Sequence, residues 1–119
     1  MARVLVVEDH FDAGDAMRML LEASGYEVRV ARTVAAAIAA CDEEPVDLML
    51  LDLTLPDGEG LEVLARATVP PRITVALTGW DERSVADRCR AAGCREVLVK
   101  PVAAKALLAL TAALTGSSH

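Results

Sequence analysis

The sequence predicts a doubly wound α/β domain, a five-stranded parallel sheet with five helices shared between its two faces. Two observations predict it. Short, β-branched apolar runs recur along the chain and stop at polar residues, as strands buried on both faces do. Between these runs the apolar residues take up helical spacing, and every connection is short, which implies right-handed crossovers between parallel strands.

Each element has its own signal. Val4 to Val7 is the first strand and stops at Glu8 and Asp9. Met17, Leu20, Leu21 and Ala23 outline the first helix, which Ser24 and Gly25 end. Glu27 to Ala31 alternates in polarity and reads as an edge strand. Thr33 is placed to cap a second helix, Val34 to Cys41, whose alanines favour helix and allow close packing on a sheet. Val46 to Leu51 is the third strand, carrying Asp47 and ending at Asp52. Leu61, Val63, Leu64 and Ala67 give a short third helix closed by Pro70 and Pro71. Ile73 to Leu77 is the fourth strand and ends at Thr78. Asp81 is the expected cap of a fourth helix that runs through Val85, Ala86, Cys89 and Ala92 to a Gly93 stop. Val97 to Val99 is the fifth strand and delivers Lys100 and Pro101 to its end. Ala104 to Leu114 is the fifth helix, with Leu107, Leu108, Leu110 and Leu114 on its inner face.

A chain of 119 residues is the size of one domain, expected over 1–114 with 115–119 as a loose tail. Its 54% hydrophobic residues suffice for a core. The formal charge of −6 argues against nucleic acid or an anionic membrane as the main ligand. The longest apolar run, Val34 to Cys41, falls well short of the ~20 residues that span a bilayer, so the expected location is cytoplasmic. Cys41, Cys89 and Cys94 form no CxxC and accompany no clustered His, so they read as core residues. His10 reads as a solvated loop side chain, and the charges of the fourth helix as a solvated face.

In such sheets ligands bind beyond the carboxyl ends of the strands. Here those ends carry Glu8 and Asp9, Asp52, Thr78 and Lys100. Three carboxylates at one rim repel one another until a cation joins them, and Mg²⁺ suits oxygen ligands while leaving room for a phosphate oxygen. Lys100 can neutralise a further oxygen and Thr78 can donate a hydroxyl hydrogen bond. Such a set stabilises the charge of a transferring phosphoryl group. Asp52 is the best-placed nucleophile, on a central strand flanked by the one bearing Glu8 and Asp9 and the one ending at Thr78.

The motifs Val4 to Asp9, Leu51 to Pro56 followed by Gly60, Leu77 to Gly79 and Val99 to Pro101 resemble the receiver domain of two-component response regulators. The resemblance covers essentially the whole chain. It implies a flavodoxin- or CheY-like sheet of strand order 2-1-3-4-5, and a bacterial signalling phosphoprotein rather than an enzyme, catalysing only its own phosphorylation and dephosphorylation. Asp52 would carry the acyl phosphate. Mg²⁺ (or Mn²⁺) would be held by Asp9, Asp52 and the main-chain carbonyl of Thr54, with Glu8 acting mostly through a metal-bound water. Thr78 and Lys100 would contact the phosphoryl oxygens, and Thr54 and Trp80 would govern access of the hydrolytic water. The peptide bond before Pro101 is often cis in this family. The switch position three residues before the lysine lacks its usual aromatic, being Val97. The implied partners are a histidine kinase or histidine phosphotransfer protein, and an output protein or domain met through the fourth helix, fifth strand and fifth helix. The stretches around Thr78 and Lys100 look more like receivers of hybrid sensor kinases, or stand-alone ones, than like those preceding winged-helix outputs.

Rival readings fit less well. A haloacid-dehalogenase-type aspartyl-phosphate phosphatase wants a second Asp two residues after the nucleophile, where this chain has Thr54. A flavodoxin-like cofactor binder needs a hydroxyl- and glycine-rich phosphate loop, where Glu8 and Asp9 would repel a phosphate. A phosphate-independent interaction module is the remaining alternative, opposed by the complete set of acids, Thr78 and Lys100.

Overall fold

The computed structural model describes residues 2–79 and 83–116. The elements run β1 (Arg3–Val7), α1 (Phe11–Ala23), β2 (Glu27–Ala31), α2 (Val34–Glu43), β3 (Leu48–Asp52), β4 (Thr54–Leu55), β5 (Gly58–Glu59), α3 (Glu62–Arg66), β6 (Ile73–Thr78), α4 (Arg83–Ala92), β7 (Glu96–Val99) and α5 (Ala104–Thr115). The main sheet is parallel, in the order β2-β1-β3-β6-β7. Because β4 and β5 form a small separate hairpin, this is the predicted 2-1-3-4-5 order.

Alternation along each strand divides the core. Val4, Val6, Leu48, Leu50, Val75 and Leu77 face α1 and α5, meeting Leu21 and Leu107. Their neighbours Leu5, Val7, Met49 and Leu51 face α2 and α3, meeting Val34, Ala37, Cys41 and Val63. Ala76 meets Cys89 and Cys94 beneath α4, so all three cysteines are buried core residues, as expected. With both faces covered, β3 has no solvated side, which is why it reads as an unbroken apolar run.

The boundaries differ from expectation where side chains capture backbone. β3 starts two residues later than Val46, because Asp47 accepts the Arg3 N–H at 2.8 Å through Oδ2 instead of presenting an apolar face. Thr33 caps α2 as predicted, accepting the Ala36 N–H at 3.0 Å, and α2 continues to Glu43. A second, unforeseen cap reaches α2 from the loop after β4, where Asp57 accepts the N–H groups of Val34 at 2.7 Å and Ala35 at 3.1 Å. These two bonds hold the Asp57 carboxyl below its ordinary range. The third helix is only Glu62–Arg66. The α4 stop is the predicted Gly93, with φ of 109°. The last helix runs one residue past Leu114, to Thr115, and Gly116 caps it in the left-handed conformation. Trp80, Asp81 and residues 117–119 lie outside the described residues, and with them the expected gate, helix cap and most of the tail.

Candidate functional site

The sheet brings the predicted residues to one rim. Glu8 follows β1, its N–H donating to Ala31 O at 3.0 Å and so extending the ladder with β2. Asp52 ends β3 and pairs in register with Leu77, so Thr78 stands one step beyond it on β6. The Lys100 N–H donates to Thr78 O at 2.8 Å, which continues β7 beyond Val99 and aims the lysine back across the rim. The Lys100–Pro101 peptide bond is cis.

The loop after Asp52 closes tightly over it. The Gly60 N–H donates to Leu53 O at 2.9 Å. A Cβ at Gly60 would overlap the Asp52 carbonyl oxygen and press on Leu53 Cα, so only glycine permits this approach.

Lys100 lies between the two buried acids. Its Nζ donates to Glu8 Oε1 at 2.9 Å and to Asp52 Oδ2 at 3.1 Å, while Asp52 Oδ1 accepts the Thr54 N–H at 3.0 Å. The Glu8 and Asp52 side chains are only 2% and 7% exposed. Burial raises the Glu8 carboxyl above its ordinary range, Asp52 beside it adds to the rise, and Lys100 opposes it. Burial works the same way on Asp52, but a hydrogen bond shared with Glu8, the Thr54 N–H and Lys100 outweigh it and hold Asp52 low. Burial opposes the Lys100 ammonium, yet its bonds to Glu8 and Asp52 raise its pKa. The same surroundings thus move the two acids in opposite directions, Glu8 up and Asp52 down.

The donor set fits a small, hard divalent cation. Glu8 Oε2 and Asp9 Oδ1 are buried and accept no hydrogen bond. Glu8, Asp9, His10 and Asp52 each offer a ligand atom within 4.8 Å of the others. Buried carboxylate oxygens without donors are costly unless a cation takes them up. His10 has the expected solvated side chain, 74% exposed, yet its Nδ1 reaches this group.

Thr78 is buried at the edge of a cleft of about 360 Å³ that it shares with Thr54, Gly58, Glu59, Val85 and Arg88. An Arg88–Glu59 ion pair joins α4 to the β5 end of this cleft, a contact that sequence reasoning missed. On the other side Glu8 and Lys100 border an apolar cleft of about 470 Å³ between α1 and α5. Val97 pairs with Ala76 and packs toward Cys89 and Cys94. The charged side chains of α4 that are described, Arg83, Asp87, Arg88 and Arg90, are exposed as expected.

Comparison with known proteins agrees. A family model described as the response regulator receiver domain matches residues 4–112. The transcriptional regulatory protein TrcR of Mycobacterium tuberculosis is 35% identical over 98% of this chain and 47% of its own length. The swarming motility regulation protein RssB of Serratia marcescens is 36% identical over 88% of this chain and 49% of its own. The chain thus spans about half the length of these relatives. A CheY-like receiver domain from Methanospirillum hungatei superposes with a TM-score of 0.88 at 31% identity, covering 98% of this chain and 95% of that one. A Burkholderia pseudomallei response regulator, solved with a phosphorylated aspartic acid and a calcium ion, gives 0.84 at 26% identity over 92% of this chain and 65% of that one. No helix among the described residues is long and apolar enough to cross a membrane.

Proposed function

Because this chain belongs to the response regulator receiver family, we propose that Asp52 accepts a phosphoryl group from the phosphohistidine of a histidine kinase or phosphotransfer protein. One observation carries this reading: a buried carboxylate at a strand end, with an ammonium on one oxygen, a main-chain N–H on the other and donor-free acid oxygens alongside.

An Asp52 oxygen attacks phosphorus, the P–N bond to the donor imidazole breaks, and that nitrogen leaves with the electron pair. Lys100, already 3.1 Å from Asp52 Oδ2, holds positive charge against the developing acyl phosphate. The Thr54 N–H keeps the carboxylate oriented, and the Thr78 hydroxyl donates to a phosphoryl oxygen. Mg²⁺ (or Mn²⁺), held by Glu8, Asp9, Asp52 and the Thr54 carbonyl, supplies further positive charge at the phosphoryl oxygens when bound.

The acyl phosphate then shifts a pre-existing equilibrium, read by an output partner at the face of α4, β7 and α5. Val97 cannot perform the aromatic rotamer change expected at its position, so this coupling runs through Thr78 and α4 packing instead. The chain acts as a phosphoacceptor, self-catalysed in gaining and losing phosphate, within a hybrid kinase, another longer regulator or alone in the cytoplasm. Thr54 and Trp80 set the lifetime of the acyl phosphate.

The test is phosphate uptake from a phosphohistidine donor, followed by mass spectrometry together with Trp80 fluorescence during addition of Mg²⁺ and then beryllofluoride. The parent gains one phosphoryl group and Asp52→Asn none. Uptake by Asp52→Asn equal to the parent, or no response in the parent to any of these additions, refutes the assignment.

A further inference from the structure

His10 is the N-cap residue of α1, and its backbone is extended, with φ −78° and ψ 117°. Its side chain makes no capping hydrogen bond to the helix. Its Nδ1 lies 3.3 Å from Asp9 Oδ1 and 3.7 Å from Glu8 Oε2. Neither oxygen accepts a hydrogen bond from it, although both are buried. Lys100 takes Glu8 Oε1, which leaves Oε2 without a hydrogen bond and within reach of the imidazole. Two oxygens and one nitrogen thus converge at ion-pair range with no hydrogen bond between them.

Those separations have a simple meaning. Adjacent donors around one ion about 2.1 Å from each lie about 3.0 Å apart in an octahedron and about 3.4 Å apart in a tetrahedron. The observed 3.3 and 3.7 Å need only a few tenths of an ångström of closure. The exposed imidazole can rotate to supply it, because the structure packs only a quarter of it away from solvent, its side chain being 74% exposed.

We propose that His10 is a direct nitrogen ligand of the divalent cation at this site, which strengthens the site's affinity for a first-row transition ion such as Mn²⁺, Co²⁺ or Zn²⁺ relative to Mg²⁺. Mg²⁺ favours oxygen ligands and gives up water reluctantly, whereas imidazole suits the later ions. The inference rests on the metal-site reading above and adds to it the fourth side chain and the class of ion.

The test titrates the full chain with Mg²⁺ and with Co²⁺ by calorimetry, for the parent, His10→Asn and Asp9→Asn. Co²⁺ is expected to bind the parent at least about tenfold more tightly than Mg²⁺, and His10→Asn to lose about tenfold in Co²⁺ affinity with Mg²⁺ affinity changed less than twofold. The Co²⁺ complex of the parent shows a paramagnetically shifted imidazole proton that the variant lacks. Asp9→Asn weakens both ions, which places them here and not at a cysteine. Equal Co²⁺ affinity in parent and His10→Asn overturns the nitrogen ligand while leaving the acidic metal site standing. Failure of both ions to bind the parent removes the metal site and this inference with it.

Discussion

Lys100→Met tests the electrostatics of the site most directly. The ammonium sits 2.9 Å from Glu8 Oε1 and 3.1 Å from Asp52 Oδ2, each worth about 5–6 kcal/mol of attraction at an effective dielectric near ~20. Desolvation of all three groups and repulsion between the acids cancel much of that gain. Removing the cation alone strands two buried carboxylates, for which losses of about 3–5 kcal/mol are typical. Lys100 is 30% exposed and Glu8 can relieve the strain by binding a proton, so the lower end, about 3 kcal/mol, is expected. With an unfolding entropy of about 2.1 cal/mol/K per residue over 119 residues, that lowers Tm by about 12 °C. Differential scanning calorimetry at neutral pH in a chelating buffer measures it. Adding Glu8→Gln to Lys100→Met should restore about half of the loss, because one of the stranded charges is gone. A Lys100→Met loss below about 0.5 kcal/mol, or a double variant no better than the single, refutes the reasoning.

Three further outcomes are expected. Gly60→Ala loses at least about 2 kcal/mol in urea unfolding, since the added Cβ meets the Asp52 backbone; an unchanged midpoint contradicts the close approach. Glu8 has its pKa raised in the fold from an ordinary 4.5, so the folded state binds its proton more readily and stability falls as pH rises through and above 4.5. Asp52, held low, acts oppositely, contributing stability above its ordinary 3.8 that is lost as pH falls. The gain of Glu8→Gln over the parent should therefore grow from pH 4.5 upward, and parallel curves across that range count against it. Finally, a divalent cation at about 100 times its Kd should raise stability by about 2.7 kcal/mol in the parent and far less in Asp9→Asn, read as a Tm shift.

Much of the site was legible because the strands are buried on both faces. Such strands are uninterrupted apolar runs, so the first polar residue after each must lie at the rim. Glu8, Asp52, Thr78 and Lys100 were found by that rule. The rule works only where burial is continuous. It put the start of β3 at Val46, since nothing local shows that Asp47 binds the Arg3 backbone. It missed the hairpin of β4 and β5, two residues each and too short for any periodicity. Asp57 and Arg88 were invisible as a cap and an ion-pair partner because their contacts lie 22 to 29 residues away. His10 read as solvated, and it is, yet its extended backbone still brings one nitrogen to the acids.

The sequence by itself determined which chemical groups arrive together, because apolar periodicity and strand ends are local properties that each stretch of chain carries alone. Only the tertiary structure decided how those groups divide the charge. Lys100 meets Glu8 across 92 residues and Asp52 across 48, and those through-space distances, with burial, push the Glu8 carboxyl up and hold Asp52 low. Coulomb energies and desolvation depend on separation and surroundings, and neither is written in the order of residues along the chain.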